Sequence, residues 1–353
     1  MKFWTLTTSS PTAAATAARE AENAGWDGVL VVDSQNLSGD SYVALTTMAL
    51  ATQRIGLGTG VTNPVTRHPA VTAGAIASVQ RISGGRAVLG IGRGDSALAH
   101  LGKAPAKVAT LEHYLRALQG YLKGEDVAFD SLAFSEQVAP DVATLGLADT
   151  PDASQLKWLN ERDVKVPLEV ASTGPRVIRA AARIADRVML AVGADLERLQ
   201  WGIETARAAA AAAGREVQLG AFVNMASHHD IETARRLVQG GLTTFARFSV
   251  MHGKVRGTVS EEQRRVLSDL HDRYDMNEHT RGDSRQVGAL TPAFIDQYAI
   301  VGKPAQCIER LQAIAALGID KVTVIGPATV SARGAAGEAA AMLTEDVLPK
   351  LRG

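Results

Sequence analysis

The sequence predicts a single (βα)8 TIM barrel, and three observations favour this fold class. Eight short apolar runs alternate with segments of helical length along the 353 residues. The run VLVV at 29–32 is apolar at every position, which is typical of a parallel strand buried on both faces. Polar or glycine residues directly follow the strands, where such barrels carry their active sites. The alternation of strands with helices and the total of eight predicted strands favour a barrel over a doubly wound sheet.

The eight predicted strands and their helices follow in order. The strands are predicted at 3–7, 28–33, 55–61, 87–91, 167–171, 187–192, 218–224 and 321–326. The helices are predicted at 12–24, 42–52, 70–82, 107–122, 175–185, 196–213, 304–317 and 334–350. Pro69 and Pro175 suit first helical turns, because the N–H that proline lacks has no partner there. Gly25 and Gly318 suit the ends of two helices.

Two insertions interrupt this alternation. After strand four, residues 123–166 lose their periodicity, and we expect a loose excursion with one short helix at 153–161. After strand seven, residues 224–302 form the longest irregular region, and we expect them to lie over the active-site face. We therefore predict one barrel domain over 1–353 that carries both insertions.

Composition narrows the classes of partner. The chain has 37 basic and 37 acidic residues and no Lys/Arg run, so we expect neither nucleic acid nor a membrane as a partner. Small molecules and another subunit remain as the expected partners. The single cysteine, Cys307, excludes an internal disulfide and is expected to be buried. The chain starts directly with a predicted strand and has no apolar stretch of ~20 residues, which predicts a cytoplasmic location.

Motifs at the ends of strands three and four carry a resemblance to a known family. They read TGVTNP at 59–64, RHP at 67–69 and GIGRGDS at 90–96. In combination they resemble the bacterial luciferase-like oxidoreductases, and within them the branch that uses the deazaflavin coenzyme F420. The resemblance implies a barrel, a homodimer and a cis peptide bond between Gly60 and Val61 that supports the redox ring from behind. Without the resemblance, a plain glycine kink at the rim would explain this peptide equally well.

The stretch STGPR at 172–176 predicts an anion site from physics alone. A strand delivers the chain to a small turn, and Pro175 then starts a helix whose free N–H groups point at the barrel mouth. Simple N-capping by Ser172 or Thr173 is the alternative. The resemblance implies that the phosphate of the cofactor binds here.

The resemblance assigns two sets of site residues. The residues expected to bind the cofactor are Asp33, Thr59, Gly60, Val61, Arg93, Ala171, Ser172, Thr173, Gly174 and Arg176. The residues expected to act in catalysis are Asp33, Asp95 and His68. Asp95 matches an aspartate that helps to bind the pterin in the reductases of this branch, although it could instead pair with Arg93. His68, at a helix start, is also compatible with a purely structural hydrogen bond.

Two absences shape the functional hypotheses. The pterin reductases carry a glutamate proton donor on strand one, whereas residues 3–7 contain no acid, which argues against pterin reduction by that mechanism. The histidines of the second insertion match no metal-ligand spacing and are expected at the surface or in a lid. They are His228, His229, His252, His271 and His279.

Three functions remain open. The first is an oxidoreductase that transfers a hydride between coenzyme F420 and a small organic substrate. The second is an FMN-dependent monooxygenase that uses oxygen, since the two cofactors differ mainly in their tails and in one ring atom. The third is a barrel that binds a flavin without catalysis, because a fold does not by itself imply a function.

Overall fold

Eight parallel strands close into a barrel in the computed structural model, which describes residues 1–132, 135, 138–329 and 331–352. The strands are β1 Lys2–Thr7, β2 Gly28–Val31, β3 Gly56–Thr59, β4 Ala87–Ile91, β5 Leu168–Ser172, β6 Arg187–Leu190, β7 Gln218–Ser227 and β8 Lys321–Ile325. Each strand pairs with the next, and β8 pairs with β1 to close the ring. The predicted barrel is confirmed.

Helices follow the strands and form the outer layer. They are α1 Ala14–Asn23, α2 Ser41–Ala51, α3 Pro69–Ile82, α4 Ser96–Ala99, α5 Val108–Lys123, α6 Pro175–Ile184, α7 Leu196–Ala211, α8 Ile231–Arg247, α9 Glu261–Arg273, α10 Pro292–Tyr298, α11 Pro304–Ala316 and α12 Ala335–Ala341. The buried faces of seven of them pack on the outside of the strands in one continuous apolar cluster, which includes the thiol of Cys307; these helices are α1, α2, α3, α5, α6, α7 and α11. Within the described residues, no helix has both the length and the apolar character needed to cross a bilayer.

The predicted helix at 153–161 is wrong. Ala153–Ser154 instead pairs antiparallel with Val127–Ala128. Beyond it, Leu156 packs on Gly74 of α3, and the guanidinium of Arg81 lies 4.8 Å from the centre of the Trp158 ring. These contacts with α3 hold the stretch in an irregular path and outweigh its weak helical pattern.

The closing helix at 334–350 is predicted only in part. The α-helix ends at Ala341 and continues as a π-helical turn, Met342–Val347, and a 3-10 turn, Leu348–Leu351. Pro349 has no N–H to donate to a preceding turn, which explains why the regular α-helix does not reach this point.

Apolar side chains fill the barrel interior. They are Trp4, Leu30, Val88, Met189, Ala191 and Phe222. Trp4 occupies the amino end, where two glycines leave room for its indole. A Cβ built on Gly28 would lie 2.2 Å from the Trp4 ring, and one on Gly56 would lie 2.6 Å from it. The interior is therefore a packed core.

Three charged side chains lie at the amino end of the barrel, beside Trp4. The Nζ of Lys321 donates to both carboxylate oxygens of Glu169, at 2.7 and 2.9 Å, and the Nε of Arg187 donates to the same carboxylate at 3.1 Å. Burial lowers the pKa of Lys321 to about 8, against the opposing effect of the Glu169 carboxylate. This cluster closes the barrel floor.

The segment between β7 and α11 builds a second apolar cluster from α8, α9 and α10. At its end, Ile300–Gly302 adds a short parallel strand beside Met225–Ser227 of β7. A Cβ on Gly241 of α8 would lie 2.8 Å from Nδ2 of Asn224 and 3.2 Å from Ile325, so α8 passes directly over the carboxyl ends of β7 and β8.

Candidate active site at the barrel mouth

Half-buried apolar side chains surround the opening above the packed interior. We call this set the apolar mouth, and its members are Leu6, Val61, Ala171, Phe245, Phe248 and Ile325. The strand residues lie near or just past the carboxyl ends of their strands, and the two phenylalanines come from α8 and the turn after it. The rings of Phe245 and Phe248 meet edge to face at 5.4 Å. The mouth offers apolar walls that suit a planar ring.

The Gly60–Val61 peptide bond is cis, as the resemblance implies. The N–H of Gly60 donates to the carbonyl of Val31 at 2.7 Å, which joins the bulge to β2. On the other side, the N–H of Thr62 donates to the carbonyl of Gly90 at 3.0 Å. Thr59 is fully buried, and its hydroxyl donates to the same Gly90 carbonyl at 2.6 Å. Thr59 thus joins β3 to β4, and Val61 presents its side chain to the mouth.

Asp33 lies beside this bulge and is 3% exposed. Its Oδ2 accepts from Thr62 Oγ1 at 2.6 Å and from Arg67 Nη1 at 2.9 Å, and its Oδ1 accepts from Gln35 Nε2 at 2.9 Å. The carboxylate is therefore surrounded by donors from the protein.

Two guanidinium groups approach each other on the β5 side of the mouth. Arg93 donates from Nε to the carbonyl of Ala106 at 2.5 Å, and its pKa is lowered by burial and by the nearby charge of Arg176. Among the described residues, no carboxylate oxygen lies within 4 Å of either guanidinium. Such an uncompensated pair attracts an anion.

The α6 terminus adds donors to the same place. Gly174 is the N-cap and makes no side-chain capping bond, and Pro175 follows it as the first helical residue. Ser172 and Thr173 direct their hydroxyls to the carbonyls of Val170 and Ala191, at 3.2 and 3.3 Å. The alternative of simple N-capping by these hydroxyls is therefore wrong. The free N–H groups of this terminus and Arg176 form, with Arg93, what we call the anion cradle.

His68 caps a helix. Its Nδ1 accepts from the N–H of Ala70 at 3.2 Å at the start of α3, and burial lowers the pKa of its imidazole. His68 also lines a cavity between the starts of α3 and α5, together with Thr110 and Tyr114. The structure thus gives it a capping role, and its part in catalysis stays a prediction.

Asp95 pairs with a residue that the sequence did not indicate. Its carboxylate accepts from Nη2 of Arg247, at the end of α8. The alternative pairing of Asp95 with Arg93 is therefore wrong, because Arg93 turns to the backbone carbonyls of Pro105 and Ala106. The pair joins the loop after β4 to the helix above the mouth.

A tyrosine and a histidine extend this pair. The Arg247 guanidinium lies 4.4 Å from the centre of the Tyr274 ring, and the Tyr274 hydroxyl lies 2.7 Å from Nδ1 of His279. Burial raises the pKa of Tyr274 and lowers that of His279 to about 4. His279 is therefore a neutral imidazole at pH 7. We call Asp95, Arg247, Tyr274 and His279 the polar wall.

Two buried nitrogens near the polar wall lack protein partners. Nε of Arg247 and Nε2 of His100 have no hydrogen-bond partner in the described part of the chain. Nδ2 of Asn224, below α8, is also unpaired. Buried donors are normally satisfied, so unpaired ones beside an opening are suited to a bound molecule. No group of three His, Cys, Asp or Glu side chains capable of holding a metal occurs among the described residues.

A family model described as luciferase-like monooxygenase matches residues 2–321. The chain belongs to this family. The resemblance inferred from the three motifs is thereby confirmed, and the motifs follow β3 and β4 at the carboxyl end of the barrel.

Individual luciferase-like relatives align over much of the chain. The 5,10-methylenetetrahydromethanopterin reductase of Methanolobus tindarius is 28% identical over 318 residues, which cover 88% of this chain and 89% of the relative. The F420-dependent glucose-6-phosphate dehydrogenase of Beutenbergia cavernae is 30% identical over 236 residues, covering 62% and 64%. The structure of the coenzyme F420-dependent tetrahydromethanopterin reductase from Methanopyrus kandleri matches with a TM-score of 0.73 at 20% identity, over 99% of both chains. That likeness shows the shared fold.

Sequence reasoning about this luciferase-like chain missed most of the polar wall. Arg247, Tyr274 and His279 follow Asp95 by more than 150 residues, and no spacing links them to it. The one available signal was the group of two phenylalanines and an arginine at 245–248. His279 was expected at the surface or in a lid; it lies half-buried in the segment above the mouth, with its Nδ1 2.7 Å from the Tyr274 hydroxyl.

Proposed function

We propose that this luciferase-like protein is an oxidoreductase that transfers a hydride between coenzyme F420 and a small organic substrate. The observation that carries the proposal is the anion cradle beside the apolar mouth. A tricyclic ring with an anionic tail needs an apolar surface for the ring and an anion site for the tail. Two relatives are named as F420-dependent, the B. cavernae dehydrogenase and the M. kandleri reductase. These names support the choice of cofactor.

Each part of the site has a task in this proposal. The bound deazaflavin supplies the hydride chemistry, and the chain supplies binding and orientation. Val61 and Ala171 form one apolar boundary of the ring site, and Phe245 and Phe248 exclude water from the opposite side. Arg93, Arg176 and the α6 N-terminus hold the phosphate of the tail.

The polar wall is the proposed substrate side. Asp95 and the unpaired Nε of Arg247 offer an acceptor and a donor to the substrate. Tyr274 holds a proton at its phenol oxygen, which lies 2.7 Å from Nδ1 of His279. Since β1 contains no acid, this pair is the proposed source of the proton that accompanies the hydride.

An FMN-dependent monooxygenase is the second candidate function. The description of the family favours it, because it names monooxygenases. The anion cradle accommodates the phosphate of FMN equally well, so the described residues do not discriminate between the two tails. The F420-dependent relative from B. cavernae favours the first candidate.

Equilibrium binding tests the proposal. The protein is titrated with F420, with FMN and with the deazaflavin ring on its ribityl chain without phosphate, and ring fluorescence is recorded. We expect F420 to bind at least about tenfold more tightly than the analogue without phosphate, because charge-assisted bonds to phosphate contribute 1.5–3 kcal/mol. Tight FMN binding, with oxygen consumption by the reduced complex, would reverse the choice of function.

We also propose a homodimer that forms through the outer faces of α2 and α3. Val43 and Leu50 of α2 are 51% and 71% exposed, and Val71 of the neighbouring α3 is 57% exposed. α2 contains no charged residue and exposes two large apolar side chains, which is unusual for a helix that faces water. Light scattering of the purified protein tests this: a monomer at micromolar concentration would contradict it.

A further inference from the structure

Asp33 was expected both to contact the redox ring and to act in catalysis, yet its surroundings indicate a different role. Thr62, Arg67 and Gln35 donate three hydrogen bonds to its carboxylate, which is 3% exposed. A carboxylate so enclosed by protein donors has little capacity left for a ligand.

The partners of Asp33 lie on the chain just after the cis peptide. Thr62 follows Val61 directly, and its hydroxyl donates to Asp33 at 2.6 Å. The backbone of Thr62 pairs with β4 on its other side, where its carbonyl accepts from the N–H of Gly92 at 2.9 Å. Thr62 is thus fixed to β2 by its side chain and to β4 by its backbone.

Arg67 is the second anchoring partner of Asp33. Its Nη1 donates to Asp33 at 2.9 Å, and its Nη2 donates to Asp40, the N-cap of α2, at 2.6 Å. Its guanidinium also lies 4.9 Å from the centre of the Tyr42 ring. The charge of Asp33 is therefore balanced by Arg67, which contacts the start of α2 at the same time.

Val61 is the side chain that this anchor controls. It belongs to the apolar mouth, and a Cβ on Gly92 would lie 3.0 Å from its Cγ2. Such close packing leaves Val61 little freedom once Thr62 is fixed, because packed side chains transmit small shifts.

We propose that Asp33 is a positioning residue, which sets the Gly60–Val61 support of the ring through Thr62 and Arg67 and neither contacts the ring nor exchanges protons with the substrate. The inference rests on the proposed function, since it concerns the same ring site.

The test compares Asp33→Asn and Thr62→Val with a matched control, Asp40→Asn. Asp40 accepts from the same arginine but is exposed, and asparagine also caps helices well. F420 and FMN affinities are measured by fluorescence, together with the absorbance spectrum of the bound ring and amide hydrogen exchange over 58–63.

We expect Asp33→Asn and Thr62→Val each to weaken ring binding about tenfold, and the double variant to be no weaker than either, because both changes break one anchor. Amide exchange over 58–63 should rise in both, while the bound spectrum keeps its wild-type shape. Asp40→Asn should change none of these quantities by more than about twofold.

Two results would overturn the inference. An altered spectrum and a loss of affinity in Asp33→Asn alone, with Thr62→Val unaffected, would mean that Asp33 contacts the ring. Unchanged affinity and exchange in both variants would mean that the anchor does not position the bulge. If the wild type binds neither ring, the proposed function fails, and amide exchange still decides whether Asp33 fixes the bulge.

Discussion

Arg247 at the end of α8 donates to the carboxylate of Asp95 in the loop after β4, across 152 residues of sequence. Both side chains are mostly buried, so each depends on the other for charge compensation. The contact also connects the segment above the mouth to the barrel rim. Its loss is therefore expected to affect both stability and the site.

Arg247→Met should lower the free energy of unfolding by about 3 kcal/mol, because it leaves the Asp95 carboxylate buried and unpaired. Urea unfolding measures this. Arg116→Met serves as the control, since Arg116 pairs with Glu112 at the surface, and about 0.5 kcal/mol or less is expected there. Equal losses of unfolding free energy in the two variants would contradict the view that the buried pair stabilises the fold more than the surface pair.

His279 predicts a pH dependence of stability. Its pKa of about 4 in the folded protein lies below the ordinary value near 6.5, so the unfolded chain binds the proton more readily between these values. This contribution to stability is complete above about pH 6.5 and is lost as the pH falls toward 4.

His279→Gln should therefore flatten the acid side of the stability curve, by at most about 3 kcal/mol between pH 6.5 and 4. Urea unfolding at several pH values measures the difference from wild type. Exposed His113 provides the control variant, His113→Gln. A wild-type slope in His279→Gln would show that its imidazole titrates normally in the folded state.

The floor of the barrel should depend on the Glu169 carboxylate. Glu169→Gln leaves Lys321 and Arg187 without their shared counter-charge, and a loss of about 3 kcal/mol is expected. The double variant Glu169→Met, Lys321→Met should recover part of it, because apolar pairs replace buried ion pairs well. Glu125→Gln, in an exposed pair 3.7 Å from Lys123, is the control and should change little.

Arg176→Gln should weaken F420 binding about tenfold while it leaves the analogue without phosphate unaffected, because the lost bond is to phosphate. Arg179→Gln on the same helix is the matched control, since Arg179 is exposed one turn further along. Fluorescence titration measures the affinity of each of the two variants for F420 and for the analogue without phosphate. A loss for both ligands in Arg176→Gln would place Arg176 against the ring instead of the tail.

Leu50→Glu should convert the proposed dimer to monomers, because it puts a charge in the centre of an apolar interface. Light scattering and a shift of the thermal midpoint with protein concentration measure this. Leu147→Glu, at another exposed leucine outside α2 and α3, is the control and should leave the mass unchanged.

The strands, the barrel and the rim were predictable because they depend on local patterns. The apolar run VLVV at 29–32 predicts a buried strand, and the strand found there, Gly28–Val31, is fully buried; Pro175 starts a helix because its ring suits a first helical turn. The partner of Asp95 was not predictable, since only the folded chain brings Arg247 to it. The helix predicted at 153–161 was wrong for the same reason, because contacts of Arg81 of α3 with Trp158 and Asp163 exist only in the folded chain.

The Trp4 ring, packed against Lys321 of the Glu169–Lys321 pair, has a consequence for the route by which ligands enter. Because the described residues close the amino end of the barrel, the proposed redox ring and substrate would both enter from the carboxyl end. Whichever of the two sits deeper enters first and departs last, so steady-state kinetics should follow a compulsory order of addition.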